Sequence, residues 1–295
     1  MTDIRRVGVL GCGLMGSGIA QVTATAGYET IVRDVAPDVW ARARANIEKS
    51  LAKFVEKGKL TAPDREATLK RLSFTTATAD LKGCDIVVEA VTEDAALKNT
   101  LWKELDAACG AATIFASNTS SLTIAAMAAV TKRADRFVGL HFFNPVPLMQ
   151  LVEVVRTVTT SEQTFDRAFA FARSLGKEPV AAKDTSGFIV NLLLVPYLLD
   201  AIRAVEHRVG SVPDIDKAMQ LGCGHPMGPL TLLDFVGLDT TEKIAEIMFD
   251  EYRETRYAPP PLLRRMVLAG MTGRKSGKGF YDYAQNPPQA SELGL

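Results

Sequence analysis

Short apolar runs bounded by turn residues recur along the first two-thirds of the chain and alternate with stretches of helical period. Residues 5–10, 29–33, 84–91, 113–117, 136–143, 148–157 and 178–183 read as strands, the spacing expected of a sheet with helical crossovers. Beyond Asp184 the period is helical throughout, with helices predicted near 186–208, 213–221, 228–236, 239–254 and 260–270. The change of period divides the chain into an α/β domain, 1–184, and an all-α domain, 185–295. One segment is too long for an ordinary crossover helix. Pro37–Lys57, Gly58 and a second helix over 61–71 predict a protruding helical hairpin at about 36–71. Its apolar stripe is Ala43, Ile47, Leu51, Phe54 and Val55, and Arg42, Arg44, Lys49, Ser50, Lys53, Lys57 and Lys59 form a basic face. Such a face is ordinarily solvated surface, but beside a nucleotide fold it also suits the phosphates of a second anionic ligand.

The first strand runs straight into Gly11-Cys12-Gly13-Leu14-Met15-Gly16. In a dinucleotide turn, the first glycine permits the tight bend, the second lets the backbone approach a pyrophosphate, and the third lets the helix pack closely on the strand. The helix passes Ile19, Val22 and Ala26 to Gly27, a natural terminator, and the second strand ends at Asp34. A carboxylate about 20 residues beyond the glycines accepts hydrogen bonds from ribose hydroxyls and repels a 2′-phosphate. NAD is therefore favoured over NADP, with Arg33 the one neighbouring residue that argues the other way. These features together predict a Rossmann-type dinucleotide-binding domain carrying a helical hairpin insertion, followed by the helical domain. FAD and S-adenosylmethionine sites use similar turns.

Composition narrows the classes. The 295 residues are 47% hydrophobic and 23% charged with zero formal net charge, so no global field attracts nucleic acid or an anionic membrane. The longest apolar stretch, 188–199, is shorter than the roughly 20 residues that span a bilayer and contains Asn191 and Pro196. Cys12, Cys84, Cys109 and Cys223 show neither metal-type spacing nor a secretory framework, and the first residues lack a signal-peptide core. A cytoplasmic enzyme without a metal centre is expected.

Of three histidines, His141 ends an apolar strand just before Phe142-Phe143-Asn144-Pro145. Loops leaving strand ends carry chemistry in α/β enzymes, and imidazole exchanges protons near neutrality. Glu153, twelve residues on, falls on one strand face with Leu151 and Val155, so it requires either a partner or an edge position. His207, near a helix end, and His225, in a Pro/Gly-rich turn, read as structural.

The chain resembles the 3-hydroxyacyl-CoA dehydrogenase family, most closely its short, single-function 3-hydroxybutyryl-CoA dehydrogenases. The resemblance spans nearly the whole length and rests on the glycine turn, Val88-Glu89-Ala90-Val91, Ala116–Leu122, His141–Pro145, Leu151–Val154, Ser186–Asn191, Gly228-Pro229 and Gly277–Tyr281. It implies NAD-linked interconversion of the (S)-3-hydroxyl and the ketone of an acyl-CoA, in a homodimer formed through the helical domain. By motif, His141 is implied as general acid/base, Glu153 as its carboxylate partner, and Ser120 and Asn191 as polar groups around the reacting end. Gly11, Gly13, Leu14, Met15, Gly16, Asp34, Glu93, Lys98, Ser120 and Asn144 are implied around the cofactor. Ser50 and Lys57 match positions associated with coenzyme A, and Lys53 adds to the same face. One departure is visible: Leu192 follows Asn191 where many relatives carry arginine.

Plainer readings stand beside these. Ser120 can cap a helix, Asn191 can bond a neighbouring backbone, and Glu93 with Lys98 can form a surface ion pair. Two other functions share the architecture: oxidation of another 3-hydroxy acid, where related sugar-acid enzymes use a lysine and lack this His-Phe-Phe-Asn-Pro segment, and a recruited NAD-binding structural protein.

Overall fold

The computed structural model describes residues 3–294, which form two compact units dividing between Phe188 and Ile189. In the first, β1 (Arg6–Leu10), α1 (Leu14–Thr25), β2 (Glu29–Arg33), α2 (Pro37–Glu56), α3 (Ala62–Lys70) and β3 (Leu72–Thr75) build one half of the sheet. The other half is β4 (Ile86–Glu89), α4 (Ala95–Ala108), β5 (Ile114–Ser117), α5 (Ile124–Ala128), β6 (Phe137–Phe142), β7 (Leu151–Arg156), α6 (Glu162–Ser174) and β8 (Glu178–Lys183). The eight strands lie in the order β3-β2-β1-β4-β5-β6-β7-β8 and are parallel except at β6–β7, which is antiparallel. Strand order reverses between β1 and β4, so the glycine turn after β1 opens at the crevice where such sheets bind ligands.

Near-continuous apolar strands fit burial on both faces. Val7, Val9, Val88 and Val154 face one core with α1 and α6, while Leu10, Val87, Phe115 and Phe137 face another with Trp102 of α4. The expected hairpin is present as α2 and α3, and Ala43, Ile47 and Leu51 are its buried stripe. It ends in a strand that the sequence pattern did not reveal. In Leu72-Ser73-Phe74-Thr75 only Leu72 is buried, too weak an alternation to register, yet the segment pairs with β2, and Phe74 stacks on Trp40 of α2. β7 begins at Leu151 rather than 148 because the amides of Leu148 and Met149 turn back onto the Pro145 carbonyl.

The second unit packs α7 (Val190–Glu206), α8 (Val212–Cys223), α9 (Pro229–Val236), α10 (Leu238–Tyr252) and α11 (Pro261–Leu268) around Leu199, Leu233, Leu263 and Phe280. It is helical apart from a ribbon of two-residue strands, β9 (Tyr281–Asp282) and β10 (Gln289–Ala290). Two buried aspartates staple it. Asp216 accepts from the amides of Leu230 and Thr231 and the hydroxyls of Thr231 and Tyr281, and Asp234 from the amides of Phe280 and Tyr281 and the Tyr283 hydroxyl. Gly279 is required here, since an added Cβ would lie 1.9 Å from Asp234 Oδ1.

Candidate active site

The antiparallel pairing of β6 with β7 sets His141 directly opposite Glu153, and directly opposed residues project their side chains from the same sheet face. Both are buried, at 4% and 1% exposure. His141 Nδ1 lies 2.6 Å from Glu153 Oε2, and His141 Nε2 lies 3.1 Å from Ser120 Oγ. A carboxylate at Nδ1 fixes the tautomer that carries its proton there, leaving Nε2 as the acceptor directed at the serine. Ser120 therefore has a partner of chemical consequence, and α5 is preceded by Thr123 rather than capped by Ser120.

The serine is held from beneath. Lys98, at 1% exposure, donates to Glu89 Oε1 at 2.6 Å and sits 3.1 Å from Glu93 Oε2. The Glu93–Lys98 pair is thus no surface contact: α4 aims the lysine into the sheet, and a second carboxylate joins it. Glu89 also accepts from Ser117 Oγ at 2.6 Å and the Val91 amide at 2.8 Å. Glu93 Oε1 accepts from the Thr119 hydroxyl, the Ser120 amide and the Ser121 hydroxyl. Burial favours the neutral form of Glu93, but the Lys98 ammonium and the bonds from Thr119 and Ser120 together hold its carboxyl below the ordinary range.

On the other side, Asp184 accepts from the amides of Ile124 and Ala125, and Ser186 donates to the Ser121 carbonyl. The chain then turns through Gly187 (φ 82°) and Phe188 (φ 48°). The left-handed region is strained for an aromatic residue, and here it puts the Phe188 ring 5.5 Å from His141, with Phe143 at 4.5 Å. No site role for Glu89, Asp184 or Phe188 is legible in the sequence, although Glu89 and Phe188 lie within motifs that carry the family resemblance. A glutamate ending an apolar strand is the signal available for Glu89.

The glycine turn is shaped for a dinucleotide. Gly11 has φ 92°, a Cβ on Gly16 would lie 1.9 Å from the Gly11 carbonyl oxygen, and a Cβ on Gly13 would meet nothing within 4 Å. Gly13 precedes α1 without a side-chain cap, while Leu14 is exposed and Met15 half-buried in its first turn. Asp34 accepts from the Cys12 amide at 2.7 Å, which fixes the carboxylate beside the turn. Burial and this same carboxylate push the Cys12 thiol up to about 12, so it stays neutral. Asn144 is exposed three residues past His141.

Ser50, Lys53 and Lys57 come together in a groove of about 370 Å³, with Lys49 and Lys59 on the same wall and Pro145, Pro147 and Leu148 on the opposing one. The loop leaving the His141 strand thus faces the basic side of the hairpin. Asn191 stands half-buried in the first turn of α7, in the second unit, and Leu192 packs into that unit's core. In the same unit His225 contacts the Tyr197 hydroxyl at 3.2 Å, and His207 terminates α7.

The family model for the NAD-binding domain of 3-hydroxyacyl-CoA dehydrogenase matches residues 6–185, and that for its C-terminal domain matches residues 187–283. The chain is 52% identical over 286 residues to the 3-hydroxybutyryl-CoA dehydrogenase of Mycobacterium tuberculosis, covering 96% of this chain and 100% of that one. It is 48% identical over 287 residues to human mitochondrial hydroxyacyl-coenzyme A dehydrogenase, covering 95% and 91%. The crystal structure of (S)-3-hydroxybutyryl-CoA dehydrogenase from Ralstonia eutropha superposes with a TM-score of 0.93 at 43% identity, covering 96% and 100%. Fold, glycine turn and full-length similarity agree: the chain belongs to the 3-hydroxyacyl-CoA dehydrogenase family of NAD-dependent oxidoreductases.

Proposed function

We propose that the protein interconverts (S)-3-hydroxybutyryl-CoA and acetoacetyl-CoA, with His141 as the general acid/base. The observation that carries this reading is the relay of buried Glu153 and His141 with half-buried Ser120, whose distances of 2.6 and 3.1 Å suit one proton-transfer unit. NAD supplies the hydride acceptor when bound, and Gly11, Gly13, Leu14, Met15, Gly16, Asp34, Glu93, Lys98 and Asn144 are the residues to hold it. As the C3 hydroxyl becomes a carbonyl, its proton passes to His141 Nε2, and positive charge develops on the ring against Glu153. Ser120 Oγ, already within reach of Nε2, hydrogen-bonds the reacting oxygen, and Asn191 is a further substrate-binding residue that the family resemblance implies. The aromatic rings of Phe143 and Phe188 keep water from the imidazole. Ser50, Lys53 and Lys57 take the coenzyme A phosphates, for which the groove offers several ammonium groups in one place.

A homodimer through the helical unit, which the family resemblance implies, is part of the proposal. A cytoplasmic location is also part of the proposal; among the described residues no helix is long and apolar enough to cross a membrane. Steady-state reduction of acetoacetyl-CoA with NADH, alongside longer 3-oxoacyl-CoA substrates, tests the assignment. Failure to turn over the four-carbon substrate, or a kcat/KM that rises steeply with chain length, would move the substrate elsewhere in the family.

A further inference from the structure

Lys177 has no part in the roles described above, yet its amine is engaged with the loop that leaves the His141 strand. Gly176, at φ 72°, ends α6 in the left-handed conformation, and the turn delivers Lys177 inward just before β8. The residue is 6% exposed. Its Nζ donates to the carbonyl oxygens of Val146 at 2.5 Å and Met149 at 2.7 Å. No ion pair with a carboxylate balances the charge among the described residues, and burial pushes the ammonium below its ordinary value. A cation buried against carbonyls alone is costly, and a methionine would fill the same volume without that cost. The charge is explained if it does what a hydrocarbon would not, which is to restrain backbone oxygens.

The loop needs such a restraint. Pro145 and Pro147 have no N–H to donate, and the amides of Leu148 and Met149 bond only back to Pro145, at 2.9 and 3.0 Å. On its other side the loop rests on α1, where Val146 fits so closely against Gly18 that an added Cβ would lie 2.8 Å from the Val146 Cβ. Lys177 and Gly18 therefore clasp the loop from two directions. The same loop supplies Pro145, Pro147 and Leu148 to the wall facing Ser50, Lys53 and Lys57.

We propose that Lys177 is a positioning residue for acyl-CoA recognition, which holds residues 145–149 as the fixed wall of the hairpin groove. The inference rests on the reading of that groove as the coenzyme A site. Rigid walls favour a ligand by removing the entropy of ordering them on binding, so a loosened wall weakens the nucleotide end of the substrate while leaving chemistry at C3 nearly intact.

The test compares acetoacetyl-CoA with acetoacetyl-pantetheine, which lacks the nucleotide. Lys177→Met is expected to raise KM for acetoacetyl-CoA by about five- to twentyfold, to change kcat by less than about threefold, and to leave KM for the pantetheine thioester and the Kd of NADH within about twofold. Gly18→Ala pushes the loop from the opposite side, should reproduce the same split, and carries the test if Lys177→Met does not fold. Equal losses with both thioesters, a parallel fall in kcat and NADH affinity, or no change would make Lys177 a structural plug. Lys57→Ala, measured alongside, separates the two readings. If it too is indifferent to the nucleotide, the groove assignment and the positioning role fall together. If Lys57→Ala alone penalises acetoacetyl-CoA, the groove stands and the role of Lys177 is overturned.

Discussion

Glu153 in the first unit and Asp234 in the second are both carboxylates at 1% exposure, but they face different partners. Asp234 accepts from the amides of Phe280 and Tyr281 and the Tyr283 hydroxyl. Its burial, the largest influence, pushes its carboxyl up, partly offset by those bonds. It has no proton-exchanging neighbour near neutrality and serves as a staple for the Gly277–Tyr281 segment. Glu153 faces an imidazole whose far nitrogen reaches a serine hydroxyl, so in the proposed mechanism the same burial serves a group that takes and returns protons. What distinguishes the carboxylate proposed for the proton relay from the structural one is thus the partner rather than the depth.

Mutation should separate the two regions by readout. The largest effect is expected for His141→Gln, with kcat lower by about 10²–10⁴-fold and NADH binding retained, because the glycine turn is untouched. Glu153→Gln should lower kcat less. The double variant should be far less impaired than the product of the single effects, since without the imidazole the carboxylate has nothing to orient. Fully multiplicative losses would show that the two do not act as a unit.

Asp234→Ala should behave in the opposite way. It strands buried donors, each worth about 1–3 kcal/mol, so the melting temperature of the helical unit should fall by several degrees. Per folded molecule, turnover should change little. A large kcat loss in fully folded Asp234→Ala would erase the contrast.

Smaller effects sharpen the picture on the ligand side. Lys57→Ala should raise KM for acetoacetyl-CoA about three- to tenfold, with the difference from wild type shrinking as salt screens the exposed ammonium. Asp34→Ala should narrow the preference for NADH over NADPH, by removing repulsion of a 2′-phosphate. Equal use of the two cofactors by the unmutated enzyme would remove Asp34 as the discriminator.

Legibility in the sequence follows the same division. The glycine turn and Asp34 could be read because their spacing is a property of one βαβ unit. His141 and Glu153 were readable as partners because a short connection joins their strands. Glu89 was not, since what marks it is Lys98 from a helix and Ser117 from another strand, contacts that exist only after the sheet assembles. Phe188 shows its significance through a backbone angle, and β3 has only one buried side chain. The surface-pair reading of Glu93 and Lys98 failed for a related reason: local spacing places a loop carboxylate near a lysine in the first turn of α4 but says nothing of the sheet beside it.

The last strand of the sheet has a consequence for how the molecule behaves in a crowded solution. The Glu178 amide points inward to the Gln150 carbonyl, so by alternation the next position, Pro179, turns its nitrogen toward the open edge of β8. A proline there offers no hydrogen to an incoming strand, and Glu178 and Lys183 place opposite charges at the two ends of the edge. An eight-stranded apolar sheet is otherwise a template for edge-to-edge aggregation, and the missing donor at Pro179 with the flanking charges makes β8 a poorer one.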